Sequence, residues 1–540
     1  MSASNDRKKR QEAITSGADR KTLASREEEK KRRKSKFNWT FGTIVVVLLI
    51  AAILILNSNL FYTGMPALKV GDVSYNTAQF DYYFKTQYYN FMTNYGSYAS
   101  LFGLDTSKPL KDQQCTMLSD GGSWYDYFQQ QTISYMTQIT ALSEYAKKNN
   151  IALDDTATAS IDSQMQTLAA QATKNGYTSV KNYLIKAYGR GCSEALVRGE
   201  LERYTLASKA YTSMSDSYGS ALTDTELESY YQKNKDTLDL FDYNYYLVSA
   251  EKVATAAATA TDTTSTAAPA STAAATAAPA ATAAPAATAV TDETMAAAKT
   301  KADGIAKAVK SGKDFSAAVT AAVADATAST QTGVSGSSVT GDYADWLKDA
   351  SRKTGDVTVV ESADTGYYVV EFVGRSDNHY QLAEARHILV KAVASSDGTY
   401  TDAAKATAKT TAQKYYDEWK AGAATEDSFA ALATKYSEDT GSASNGGLYD
   451  SIYKGEMVTE FNDFVFAAGR QKGDTALVYG ETSDYCGYHV VYYVGLNNML
   501  CSSYLAKNAI VSDDMSKWQD GLVANYTATQ QFAIRFASIG

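Results

Sequence analysis

The feature that most constrains this chain is an internal repeat. "TDETMAAAKTKADGIAKAVKSGKDFSAAV" (Thr291–Val319) parallels "TDAAKATAKTTAQKYYDEWKAGAATEDSFAALA" (Thr401–Ala433). "DWLKDASRKTGDVTVV" (Asp345–Val360) parallels "DFVFAAGRQKGDTALV" (Asp463–Val478), and "DTGYYVVEFVGR" (Asp364–Arg375) parallels "DYCGYHVVYYVG" (Asp484–Gly495). The opening strands match as well, "FDYNYYLVSA" (Phe241–Ala250) against "EARHILVKAV" (Glu384–Val393). Self-similarity on this scale means one folding unit used twice. Each copy reads strand, helix, short helices, strand, so an α+β domain is expected at 241–375 and again at 380–497.

Copy one is interrupted after its first strand. Residues 254–290 are an Ala/Thr/Pro run without large apolar side chains, too poor in burial to offset the entropy of ordering. A disordered insertion is expected; an Ala-rich helix is the alternative, opposed by Pro269, Pro279 and Pro285. Ahead of the repeat, "PALKVGDVSYNTAQF" (66–80) reads as a strand pair turning at Gly-Asp, with a helix starting at Thr77. The rest of 66–240 reads as mostly helical. Ile133, Met136, Ile139 and Leu142 recur at helical spacing, and Thr223 with Glu226 spells a capping box. The final stretch, 502–540, carries one more amphipathic helix and is expected to pack back on the N-terminal helices.

Charge is divided unevenly. The formal net charge is −9, yet residues 1–36 are strongly basic, so the remainder is net acidic and does not suit nucleic acid. The basic tail ends in "KKRRKSK" (Lys30–Lys36) against an uncharged stretch whose centre is "FGTIVVVLLIAAILIL" (Phe41–Leu56). That length approaches what crosses a hydrocarbon core. The expectation is a transmembrane anchor at 37–62 with the tail cytoplasmic and the bulk of the chain on the extracytoplasmic side; a cleaved signal peptide is the alternative. Export permits disulfides. The four cysteines, Cys115, Cys192, Cys486 and Cys501, are expected to pair within regions, 115–192 and 486–501, against the alternative of four free thiols. With no CxxC, neither structural zinc nor dithiol redox chemistry is supported.

The chain has three histidines. In an extended strand His387 shares its face with Leu389, opposite Arg386, Ile388 and Val390; His489 shares its face with Val491. Both strands that open and close copy two thus carry a histidine on a regular face, while copy one has Tyr245 and Tyr368 at the matching places. The third, His379, falls in the joint "GRSDNHYQ", where solvent exposure is expected.

With "ARHILV", "YSEDTGSASNGGLYD" (Tyr436–Asp450), "KGEMVTEFNDFVFAAGRQKGD" (Lys454–Asp474) and "GYHVV" in this order, copy two resembles the parvulin family of peptidyl-prolyl isomerases. The whole arrangement, a "KVGD" strand and helical region before two such domains, is similar to PrsA-type and SurA-type extracytoplasmic foldases; the anchor in place of a lipidated cysteine departs from the usual PrsA form. The resemblance implies antiparallel sheets with surrounding helices, two parvulin-like domains and a mainly helical chaperone-like domain. It implies that His387, Asp439 and His489 form the catalytic group. It implies that Met457 and Phe461 hold the proline ring, with Leu448 and Phe466 lining or supporting the pocket; ordinary core packing is the other reading of these apolar residues. Cys486 falls where a small hydroxylic residue often sits. In copy one, Tyr343 falls at the Phe461 position and Asp325 near the Asp439 position. No cofactor and no metal is implied, since two histidines lack further ligands. The partners implied are unfolded or partly folded exported proteins and, through one helix, the membrane.

The chemistry fits these residue types. Rotation about a peptide bond faces a barrier of about 18–20 kcal/mol, and only Xaa-Pro bonds populate cis appreciably. An apolar slot that grips the ring and excludes water weakens the charge-separated amide form, and no covalent attack is needed. A hydrolase reading lacks a serine or cysteine motif beside a histidine. The stretch after the first strand, "KAVASSDGTYTD", carries a single lysine, so no preference for phosphorylated substrates is expected. A non-catalytic holdase whose isomerase domains are vestigial is the competing function.

Overall fold

A computed structural model describes residues 2–15, 20–57, 59–254, 288–396, 398–483 and 485–537, apart from further side chains in the first sixty residues. It divides into two compact units, Met1–Ser220 with Asp513–Gly540, and Ala221–Ser512.

In the first unit, strand β1 (Pro66–Val70) turns at Gly71 into strand β2 (Val73–Asn76). Gly71 supplies the positive φ of +56° that this tight reversal requires. Asn76 then caps the helix Thr77–Tyr95 in a reciprocal box with Gln79. That helix and Trp124–Lys148 bury Phe80, Phe84, Trp124, Phe128 and Met136 in one aromatic-rich core. The end of the chain returns to this core: Ala528–Gln530 pairs with β1, Trp518 meets Tyr145 edge-on at 5.1 Å, and Ala533 and Ile534 are buried.

The basic and apolar runs near the N-terminus form one helix, Arg20–Asn57. Its described large apolar side chains, among them Ile44, Val47, Leu48, Leu49, Ile53 and Leu54, are exposed. Among the described residues no helix is long and apolar enough to cross a membrane; the anchor expected at 37–62 falls partly outside the described residues. The insertion at 254–290 does so almost entirely.

The second unit contains the repeat as two four-stranded antiparallel sheets. The first has strands β3 (Leu240–Ser249), β6 (Ser329–Ser335), β7 (Val357–Ser362) and β8 (Gly366–Ser376), in the order β6-β3-β8-β7. Between β3 and β6, the two-residue strands β4 (Val253–Ala254) and β5 (Thr288–Ala289) pair with each other. The second sheet has β9 (Gln381–Lys391), β10 (Leu448–Ile452), β11 (Thr475–Glu481) and β12 (Cys486–Leu500), in the order β10-β9-β12-β11. The topologies are the same: the first and last strands of each copy lie side by side at the centre.

Both faces of the second sheet are covered, which is why β9 and β12 present apolar residues on both of their faces. On one face Ile388, Val390, Val490 and Tyr492 pack with Ala412, Trp419 and Phe429 from the helices Asp402–Ala421 and Glu426–Tyr436. On the other, Ala383, Ala385, Val478 and Val491 meet Phe461 and Val465 of the short helix Thr459–Phe466. The second face carries the histidines. Full burial of a phenylalanine such as Phe461, 1% exposed, contributes about 2–3 kcal/mol and fixes that helix over the central strands.

Candidate active site

β9 and β12 are antiparallel neighbours, with His387 opposite Val491 and His489 opposite Leu389. The two imidazoles are therefore diagonal neighbours on one face. Their Nδ1 atoms lie 2.9 Å apart, and their rings are nearly parallel, 15° between planes at 5.1 Å. Both residues are buried, 4% and 5% exposed. Phe461 turns its edge to both, at 5.7 and 5.6 Å.

Asp439 arrives from the loop after the helix Glu426–Tyr436. The loop is pinned along β9, where the Glu438 N–H donates to the Leu389 carbonyl at 2.9 Å. Asp439 Oδ2 then stands 2.8 Å from His387 Nε2 and also accepts from the hydroxyls of Ser442 and of Tyr449, the latter at 3.0 Å. The Gly441 N–H donates to Oδ1 at 3.1 Å. The loop comes back across β9 at Gly447, whose carbonyl accepts from the His387 N–H at 2.9 Å. Gly447 has φ +71°, and a Cβ there would lie 2.2 Å from the His387 carbonyl oxygen, so only glycine fits.

At the other end Tyr485 places its hydroxyl 2.9 Å from His489 Nε2. Gly480 opposite is a second close approach: a Cβ would lie 2.9 Å from His489 Nε2 and 3.2 Å from the Tyr485 hydroxyl. The result is one line of polar atoms, Tyr485–His489–His387–Asp439. Burial, reinforced by the neighbouring His387, lowers His489 to about 3, so its ring is neutral at ordinary pH. The His387 hydrogen bond holds the Asp439 carboxyl well below the usual carboxylate range, with Ser442 helping. Burial and the adjacent carboxylate push Tyr449 up to about 12, so it donates. With the His489 ring neutral, one assignment satisfies the atoms along this line: Tyr485 O–H to His489 Nε2, His489 Nδ1–H to His387 Nδ1, His387 Nε2–H to Asp439.

Of the residues singled out in the sequence, His387, Asp439, His489 and Phe461 come together. Met457 joins the apolar cluster beside them, half-buried. Phe466 belongs to the same cluster but meets Tyr380 at 5.9 Å and neither imidazole, so it supports the helix. Leu448 is a correction: it pairs with Arg386 and so shares that residue's face, away from the histidines, whereas Tyr449 pairs with Ala385 on the site face. Cys486 is three residues before His489 and on the opposite face, among the helix-packed residues, with Tyr479 Oη 3.2 Å from its sulfur. The disulfides are also corrected. All four cysteines are free and buried. Cys115 and Cys192 lie in separate apolar clusters, and Cys501 is occupied by Tyr380 rather than Cys486. His379 is exposed as expected but paired, 3.0 Å from Glu228.

Sequence reasoning missed Ser442, Tyr449 and Tyr485. Alternation along β10 pointed to Tyr449, since it is the neighbour of Leu448 that shares the histidines' face. The other two sit on loops, where no periodicity exists to read.

Copy one repeats the register with different chemistry. Tyr245 stands opposite Val370 and Tyr368 opposite Leu247, the places of His387 and His489. Tyr343 meets both, at 5.6 and 5.1 Å, as Phe461 meets the imidazoles. Asp325 is exposed in a turn. Among the described residues no group of three or more His, Cys, Asp or Glu side chains is arranged to hold a metal ion.

Comparison with known proteins finds likenesses in the repeated part of the chain. The family model described as the PPIC-type PPIASE domain matches residues 268–376 and again 367–494. Chaperone SurA of Pseudomonas fluorescens (strain Pf0-1) is 35% identical over 115 residues, covering 21% of this chain and 24% of that protein. Chaperone SurA of Pseudomonas syringae pv. tomato is 30% identical over 185 residues, covering 31% and 38%. The chain thus spans well under half the length of these relatives. Among solved structures, peptidylprolyl isomerase (PrsA) from Bacillus cereus is 22% identical, with 30% of this chain and 53% of that one covered and a TM-score of 0.17.

Proposed function

We propose that this chain, whose two repeated domains match the PPIC-type PPIASE family model, is a parvulin-type foldase that interconverts cis and trans Xaa-Pro bonds at the paired histidines of its second copy. The observation that carries the reading is the Nδ1–Nδ1 contact of 2.9 Å between His387 and His489, with Asp439 at one end and Phe461 across both rings.

Each tenfold gain in rate asks for about 1.4 kcal/mol of the rotational barrier. Met457 and Val458, half-buried beside the fully buried Phe461, offer the apolar surface for the pyrrolidine ring. Burial keeps His489 neutral, so that ring places no fixed positive charge beside the reacting amide. Asp439 holds His387 in one tautomer, and His387 holds His489. No atom of the protein is placed as a nucleophile, since the Asp439 carboxylate is saturated by four donors. Copy one, with tyrosines at both histidine positions, keeps the fold without this chemistry. The full chain should raise the interconversion rate of an Xaa-Pro peptide at least tenfold over buffer, and His387→Ala should remove the gain. A wild-type rate equal to buffer would overturn the proposal.

The wider reading is a foldase acting on unfolded or partly folded exported proteins, held to a membrane through 37–62 with the bulk of the chain outside. The exposed apolar side chains of Arg20–Asn57 beside Lys30–Lys36 support it. Deleting residues 1–60 should release the protein from the membrane fraction; retention would contradict the anchor. A holdase activity of the first unit is favoured by its exposed Tyr95, Tyr98, Leu101 and Met117, and suppression of client aggregation that survives His387→Ala would support it.

A further inference from the structure

We propose that the end of the first unit where the anchor enters is a membrane-surface contact: the C-terminal turn Phe532–Phe536, with Tyr62, Met65 and Arg190, rests on the phospholipid headgroups around the anchor. The proposal rests on the anchor reading above and adds what the folded unit does at that surface.

The anchor has little slack. The apolar run ends at Leu56, and the short helix Asn59–Gly64 is already held by the first unit. Phe61 is buried, 5% exposed, and meets the Phe536 ring edge-on at 4.8 Å. The Thr63 carbonyl accepts from Asn76 Nδ2 at 3.0 Å. Gly191, at φ +84°, lets its turn press against this helix: a Cβ there would lie 3.1 Å from Tyr62 Cβ and 3.2 Å from Thr63 Cγ2. At a helical rise of about 1.5 Å per residue, Phe61 stands roughly 8 Å beyond Leu56. The headgroup layer on each side of a bilayer is about 5–8 Å deep. A unit fixed to Phe61 therefore meets the lipid surface.

The residues at that end suit the place. The Gln531 N–H donates to the Ala67 carbonyl at 2.8 Å, which brings Phe532 alongside Pro66 and Met65. Phe532 is 62% exposed and Met65 36%, and the Phe532 ring lies 5.5 Å from that of Phe536. Neighbouring large apolar side chains left in water mark a contact surface. Two of the rings here carry an arginine: Arg535 stands 5.8 Å from the Phe532 ring and Arg190 6.0 Å from the Tyr62 ring. Aromatic rings beside cationic side chains are what the boundary between hydrocarbon and water takes up. The charge agrees with that occupant. The chain has 60 acidic residues, yet none falls in 59–71, 186–193 or 528–537, the segments that meet at this end. Their charged residues are Lys69, Lys186, Arg190 and Arg535, all complementary to lipid phosphate.

The test uses the full-length chain in nanodiscs of phosphatidylcholine and phosphatidylglycerol. Phe532 or, in a second sample, Val47 of the apolar helix is replaced by para-fluorophenylalanine. Fluorine NMR then compares the broadening caused by a nitroxide on the lipid headgroup with that caused by a water-soluble gadolinium chelate. The Phe532 signal should broaden at least about threefold more with the lipid nitroxide than with the chelate, as an interfacial ring does, and Arg535→Gln should at least halve that ratio. Phe532, Val47 and Arg535 are all exposed, so these changes leave the core intact. A Phe532 signal broadened by the chelate alone, while the Val47 signal senses the lipid, would overturn the contact, leave the anchor standing and free this surface for a protein partner. A ratio unmoved by Arg535→Gln would overturn the contact as proposed. If neither signal senses the lipid, the anchor and the contact fall together.

Discussion

Lowering the pH from 7 to 5 should loosen the second sheet domain through one residue, His489. Burial lowers its folded value to about 3, whereas an unfolded histidine titrates near 6.5. Between those values the unfolded chain binds the proton and the folded chain does not, so stability rises with pH. The contribution is complete above about 6.5 and is lost progressively as the pH falls towards 3. At pH 5 the unfolded state gains about 2 kcal/mol from protonation, and the folded state gains almost nothing. Asp439 also loses stability on acidification, because its folded value is depressed; that loss begins only below about pH 4, where an unfolded carboxyl takes up its proton. The two effects are therefore separable at pH 5. Hydrogen exchange at the Val490 and Val491 amides of β12, converted to opening free energies, reports the local stability. Wild type should lose about 2 kcal/mol between pH 7 and 5, and His489→Gln should lose less than about 0.5. An equal fall in both proteins would refute the claim that a buried neutral imidazole is the cause.

Other outcomes follow from the same geometry. Asp439→Asn keeps the shape but replaces a charge-assisted acceptor, worth about 1.5–3 kcal/mol; kcat/KM for an Xaa-Pro peptide should fall about tenfold or more, with mixed His387 tautomers in side-chain 15N spectra. Tyr485→Phe removes the hydroxyl at His489 Nε2 and should cost about 1 kcal/mol, seen as a several-fold drop in kcat with KM little changed. Gly447→Ala places a Cβ against the His387 carbonyl at positive φ and should destabilise the domain by at least about 2 kcal/mol, read by denaturant unfolding. Tyr368→Phe in copy one should leave peptide isomerisation within twofold of wild type.

Much of this was legible in the chain because strands obey a period of two. Once "EARHILVKAV" and "GYHVVYY" are taken as strands, His387 and His489 must face away from Ile388, Val390 and Val490, and their separation follows from the antiparallel register. The repeat disclosed the shared topology, since equivalent segments recur in order. What stayed hidden depended on loops and on contacts between distant segments. Ser442 and Tyr485 act from loops, where only the closed structure brings a hydroxyl to an imidazole. Leu448 lies off the histidine face because its strand's phase is set by pairing with β9, which spacing alone does not give. The cysteines do not pair because shared sequence regions are not shared neighbourhoods: Cys115, Cys486 and Cys192 are buried in three different clusters.

The central claim is that catalysis belongs to the imidazole pair and to one copy of the repeat. The most direct measurement compares cis/trans exchange of an Ala-Pro peptide under wild type, His387→Ala with His489→Ala, and Tyr245→Phe with Tyr368→Phe, each as the full chain and each checked for folding. The account predicts acceleration by wild type and by the tyrosine variant, and none by the double histidine variant. Acceleration that persists without both histidines, or that vanishes with the tyrosine hydroxyls, would contradict it.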